Sequence, residues 1–165
     1  MREKTPQDYA NELLQMHKSK LAQPTPTVAP VSPTFQDGTG GLQVNVTTLG
    51  RLYPVKGALI TVFTGPFSSP TVIDVGMTDD SGKSDVFLLE TPPRSESQQA
   101  ENGGEVPYAN YKVSVRSDGY VEQVALNVPV FSGVISVQGF DLVSVAAAGN
   151  HTRPQITNEN NDYNL

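Results

Sequence analysis

From Leu42 onward, apolar residues recur at every second position, and few folds satisfy that pattern. Leu42, Val44 and Val46 face one way while Gln43, Asn45 and Thr47 face the other, which is the side-chain period of an extended strand. Ala58, Ile60 and Val62 repeat it after Pro54-Val55-Lys56-Gly57. Further strand-length segments fall at 71–78, 85–89, 111–116, 120–128, 134–138 and 140–145. They are separated by Ser68-Ser69-Pro70, by Thr78-Asp79-Asp80-Ser81-Gly82-Lys83 and by the hairpin signal Asp118-Gly119, all residue types that set turns. A strand that is apolar on one face must cover that face. Seven or eight short strands with turns every ~8–12 residues therefore predict a mainly β chain, a single antiparallel β-sandwich of about seven strands over residues 41–145. Residues 90–107 form one long polar excursion, with Pro92-Pro93 and Gly103-Gly104, read as a mobile loop or a contact surface.

The period changes outside that region. Over residues 1–21, Thr5 can cap a helix, Pro6 suits its first position, and Asp8 follows three after the cap. Tyr9, Leu13 and Met16 lie at i, i+4 and i+7, and Ala10, Leu14 and Leu21 widen the stripe. Residues 22–40 carry prolines at 24, 26, 30 and 33, the composition of a semi-rigid spacer. Residues 146–165 are polar and Asn-rich and read as a disordered tail. The expected layout is helix, linker, sandwich, tail.

Charge and residue types exclude several function classes. The chain has 165 residues and a net charge of −6, and its β region holds six scattered bases (Arg51, Lys56, Lys83, Arg94, Lys112, Arg116) against eleven acids. Nucleic acid needs a basic face, so it is not an expected partner. The absence of cysteine removes disulfides, thiolate nucleophiles and Cys-based zinc sites. The N-terminus lacks an apolar signal-peptide core, and no window approaches the ~18 apolar residues of a membrane span. Cytoplasmic synthesis without a membrane span is the expectation.

The run Gly41-Leu42-Gln43-Val44-Asn45-Val46, then Pro54-Val55-Lys56-Gly57-Ala58-Leu59-Ile60-Thr61-Val62, Thr78-Asp79-Asp80-Ser81-Gly82-Lys83 and Asp118-Gly119-Tyr120 resembles the carboxypeptidase-regulatory-like, or CnaB (prealbumin-like), β-sandwich family. The likeness covers about a hundred residues, with four motifs in the family order. The segments beginning at Val106 and Asn127 are also similar to non-catalytic modules of clostridial spore proteins of the cortex-lytic type. The resemblance implies a spacer, stalk or protein-contact module, and incorporation into a spore or other large assembly. Some members cross-link a first-strand lysine to an asparagine. Residues 42–49 hold no lysine here, and Lys56 lies in the following turn, so that bond is not expected.

No catalytic constellation stands out. The histidines, His17 and His151, flank the β region, so a nucleophile within it lacks the usual base. The histidines and C-terminal Tyr-Arg-Gly-Ser motif of the related hydroxyisourate hydrolases are missing. Asp79-Asp80-Ser81-Gly82 lacks the oxygen spacing and terminal Glu of a calcium loop and reads as a plain turn. No catalytic residue, metal site or cofactor is assigned. The candidate site is the helix stripe of Tyr9, Leu13, Leu14 and Met16, too short to stand alone in water and suited to a groove on a protein partner, to self-association, or to its own domain. The expected function is a non-enzymatic structural or adaptor protein whose sandwich is displayed as an interaction module. The alternative is a carbohydrate- or peptidoglycan-binding accessory module. Tyr108, Tyr111 and Tyr120 are its candidate sugar platforms, though they read better as cross-strand packing.

Overall fold

The computed structural model describes residues 34–97, 107–149 and 152–159, with Asn11 and Gln15 in addition. The chain divides into two units, Met1–Pro33 and Thr34–Leu165, and the second carries the architecture below. The expected helix stripe and most of the linker lie outside the described residues.

The second unit is mainly β and forms two sheets. In the first, β1 (Thr39–Thr48) is central. Along one edge it pairs antiparallel with β5 (Phe87–Glu90) and with the two-residue β2 (Tyr53–Pro54). Along the other it pairs in parallel with β8 (Ile135–Leu142). The second sheet runs β4 (Thr71–Met77), β3 (Leu59–Thr64), β6 (Tyr108–Arg116), β7 (Gln123–Phe131) and β9 (Gln155–Asn158). One helical turn, α1 (Arg94–Ser97), follows β5. Asp37 holds its start, accepting from the Arg94 amide at 2.8 Å.

The alternations read from sequence point as expected. Leu42, Val44, Val46, Ala58, Ile60 and Val62 are fully buried and meet Val113, Val115, Val128, Val130 and Leu142 in one core fed by both sheets. Each such valine or leucine contributes roughly 1.5–3 kcal/mol through removal from water. The sheets meet closely at Gly76, where a Cβ would lie 2.8 Å from the Phe87 ring. The Asp118-Gly119 hairpin forms as expected, with Gly119 at φ 81° and the Tyr120 amide donating to the Ser117 carbonyl at 3.1 Å.

Four expectations need correction. The sheets are not wholly antiparallel: β8 leaves the second sheet through a turn at 132–134 and joins the first beside β1 in the same direction. Antiparallel pairing is forced only for strands joined by short hairpins. Segments 134–138 and 140–145 merge into β8, because Gly139 continues the ladder opposite Asn45. The polar tail is not structureless throughout, since Gln155–Asn158 pairs in parallel with β7 from Gln123 to Leu126; backbone hydrogen bonds suffice there without a buried side chain. Nine strands form among the described residues rather than about seven. Residues 35–40 also belong to this unit rather than to a spacer: Phe35 packs beside Gly41, and Gly38 donates to Ser132 Oγ at 3.1 Å.

Candidate interaction surface

The outer face of the second sheet can be built from its registers. Directly opposed residues of neighbouring strands point to the same side. Val75 opposes Thr61, Thr61 opposes Ser114, Ser114 opposes Val124, and Val124 opposes Ile156. These five form one row across all five strands, facing away from the core. The next row out holds Met77, Leu59 and Arg116, and the row on the other side holds Val72, Phe63 and Lys112. Leu59, Val72, Val75, Met77 and Ile156 are all exposed.

The turn from β3 to β4 raises a wall beside these rows. Phe67 tilts against Phe63, ring centres 6.0 Å apart. The Lys112 ammonium lies 5.2 Å from the Phe67 ring centre and donates to the Gly65 carbonyl, which pins the turn. Pro154 and Ile156 close the far side. The resulting groove has a volume of about 380 Å³, at the low end of sites that take small molecules or clusters of side chains. Its charged residues form a single cluster: Glu122 accepts from Ser114 Oγ at 3.1 Å and from the Arg116 guanidinium at 2.9 Å. Both Glu122 carboxylate oxygens are therefore engaged within the groove wall itself.

The other sequence candidates fall into structural roles. Asp79 Oδ1 accepts from the Ser81 amide, the Ser81 hydroxyl and the Lys83 amide at 2.8, 2.7 and 3.0 Å. These bonds, the Ser81 hydroxyl first, hold its carboxyl below the ordinary value. Asp80 pairs with Lys56 in solvent. Among the described residues no group of three or more His, Cys, Asp or Glu could hold a metal ion, and no helix is long and apolar enough to cross a membrane. Tyr111 is buried and donates to the Glu90 carbonyl at 2.6 Å, Tyr108 tilts against Phe131 at 5.4 Å, and Tyr120 packs on the core. Tyr9, Leu13, Leu14, Met16, His17 and His151 lie outside the described residues.

The groove was not among the sequence candidates. Its signal is that Leu59 and Phe63 are apolar in the phase opposite to Ile60 and Val62. A strand apolar in both phases has a second face to cover.

No protein-family description matches this chain, and no curated protein matches it. Among solved structures it is similar to the Bacillus anthracis TIE protein, at 17% identity and a TM-score of 0.39, covering 65% of this chain and 17% of that one. It is also similar to 3-chlorocatechol 1,2-dioxygenase from Rhodococcus opacus 1CP, at 13% identity and a TM-score of 0.40, covering 73% of this chain and 70% of that one. A third similarity is to (S)-allantoin synthase, at 14% identity and a TM-score of 0.37, covering 86% and 54%. The chain thus spans under a fifth of the TIE protein's length, and none of these likenesses assigns it to a family.

Proposed function

We propose that this chain is a non-enzymatic structural or adaptor protein whose β unit is displayed as an interaction module. On this reading the stripe of Tyr9, Leu13, Leu14 and Met16 docks to a larger assembly or self-associates, and a spore is the kind of assembly the sequence resemblance suggests. On this reading the two sheets are a sandwich of the carboxypeptidase-regulatory-like kind, with Thr78-Asp79-Asp80-Ser81-Gly82 as its family turn.

The observation that carries the proposal is the apolar outer face of the second sheet. Leu59, Val72, Val75, Met77 and Ile156 stand exposed on one side, around a groove stiffened by Phe67 and Lys112. A contiguous apolar patch on a small domain marks a contact surface. Protein contact is favoured over glycan because Tyr108, Tyr111 and Tyr120, the sugar platforms the sequence offered, are engaged in packing.

The test is capture of partners by the full chain, beside Val72→Glu/Ile156→Glu and Leu13→Asp/Leu14→Asp variants, with labelled peptidoglycan fragments assayed in parallel. Protein capture lost in either variant supports the module. Glycan binding that survives both variants, with no protein captured, overturns it.

A further inference from the structure

The strand that closes the second sheet beyond β7 adds nothing to the core. All four side chains of β9 are exposed, whereas β7 beside it buries Ala125, Val128 and Val130 among the core residues. Removing β9 would therefore leave no cavity in the core. Hydrogen bonds along the edge hold it. The Gln155 amide donates to the Glu122 carbonyl at 2.8 Å, and the Glu159 amide to the Leu126 carbonyl at 3.0 Å. Three exposed side-chain pairs flank them. Gln123 Nε2 donates to Gln155 Oε1 at 3.1 Å, Asn127 Nδ2 to Asn158 Oδ1 at 2.8 Å, and Gln138 Nε2 to Glu159 Oε1 at 3.0 Å. Such bonds exchange with water at small net cost. A segment with few buried apolar contacts opens while the rest of the domain stays folded.

The edge of β7 that receives β9 is built to a length. Tyr111 opposes Val128, yet Val113 opposes Ala125, so Leu126 and Asn127 stand against the single residue Lys112. Asn127 has left-handed backbone, φ 55°. This is a β-bulge, which carries one extra residue and ends regular pairing. The register of β9 on β7 runs from Gln123 to Leu126 and stops there. At the other end Gln123 is fixed independently of β9, since its amide also donates to the Asp141 carbonyl at 2.8 Å. The seat stays shaped when it is empty.

We propose that β9 is a releasable strap over this seat, and that the β9 of a neighbouring copy takes the seat once it is vacated. The occupant follows from the seat, because Gln155–Asn158 is the segment whose backbone and side chains match it. A neighbour's β9 makes the same bonds, so exchange loses no contact and gives up only the proximity of a shared chain. The Val145 amide is tied to the Gly119 carbonyl at 2.9 Å, which leaves residues 146–154 as the connection to β9. Extended, that connection spans about 30 Å, enough to reach an adjacent copy. In dilute solution a chain's own β9 has the higher effective concentration; copies held side by side shift the balance. Pro154 and Ile156 line the far side of the groove, so the groove is complete only while a β9, its own or a neighbour's, is seated. The inference goes beyond the displayed-module reading and does not need it.

The chain has no cysteine, so a single label can be placed. A nitroxide is attached to the full chain carrying Arg153→Cys, an exposed position outside the paired residues. That protein is mixed at high concentration with isotope-labelled full chain. The expected result is selective loss of amide signal centred on Gln123–Leu126 of the observed copy. Adding Thr157→Pro to the spin-labelled copy spoils strand pairing and should abolish that loss. Its own amide spectrum reports that the core remains folded. In the unmixed chain, the Gln155 and Glu159 amides should exchange much faster than those of Val113 and Val115, at a rate that added urea barely alters. Exchange at Gln155 and Glu159 as slow as in the core would show that β9 leaves only on global unfolding, and would overturn the strap. No selective signal loss, or loss that survives Thr157→Pro, would overturn the exchange between copies. Pulldown of other proteins reads the displayed-module proposal separately, so either can fail alone.

Discussion

The buried hydroxyl of Thr78 donates to the carbonyl of Val55 at 2.6 Å and so closes the turn that enters β3. The same oxygen accepts from the Ala58 amide at 2.9 Å. One side chain thereby replaces the ladder hydrogen bonds that the turn interrupts. Thr78→Val keeps the shape and leaves both backbone groups unpaired. It should cost about 1–3 kcal/mol, read as a lowered urea midpoint at unchanged slope, while Thr78→Ser should retain most of the stability.

Asp79 and Tyr111 predict opposite responses to pH. The Ser81 and Lys83 hydrogen bonds lower the Asp79 pKa. Its contribution to stability is therefore present above the unfolded-state value and is lost as pH falls through the lower folded one. Asp79→Asn should flatten that acid limb in a series of denaturation curves.

For Tyr111, burial first and the nearby Glu90 charge second raise the pKa. The phenol favours the folded state below the ordinary tyrosine value, and that contribution disappears as pH rises through the folded one. Absorbance titration should show Tyr111 ionising above the range of an unperturbed phenol. Tyr111→Phe should remove that step and, by losing the bond to Glu90, cost about 1 kcal/mol.

The free edge of β4 is apolar, with Val72, Ile73, Val75 and Met77 exposed. Two devices blunt it. The register shifts between Val62 and Phe63 of β3, opposite Asp74 and Val72, so Ile73 bulges. Asp74 also accepts from the Val75 amide at 2.8 Å, occupying a donor that an added strand would use. Asp74→Val should change stability by less than about 1 kcal/mol yet raise light scattering and thioflavin binding on incubation.

Asp141 is expected to matter locally. Asp141→Ala frees the Gly50 and Arg51 amides, and their hydrogen exchange should accelerate while exchange at Val113 and Val115 in the core stays unchanged.

The sequence disclosed what depends on local spacing. Leu42, Val44 and Val46 revealed a buried face through period two, and Asp118-Gly119 and Asp79-Asp80-Ser81-Gly82 revealed turns through backbone preference. It did not disclose partners chosen across long separations. Nothing in residues 135–142 says that they lie parallel to β1, and nothing in Gln155–Asn158 marks an edge strand, since its side chains are all exposed. The groove was half legible: Leu59 and Phe63 stand out of phase, but Ser114 and Thr61 read as ordinary solvent-facing residues until the register placed them in a row. The turn after β1 was hidden because Leu49 and Arg51 are poor left-handed residues, and the Asp141 carboxylate that accepts from the Gly50 and Arg51 amides lies far along the chain.

The parallel marriage of β1 to β8 also dictates an order of events during synthesis. The two strands meet across 94 residues of sequence, as between Thr48 and Leu142. Among the described strands, β1 is made first and waits, with one edge open, for β8. Closing so long a loop is slow, and a nascent chain paused in that interval offers β1 to whatever strand is near. Folding should consequently be limited by β8 docking, and stalled or truncated chains lacking residues 135–142 should be the species that chaperones hold.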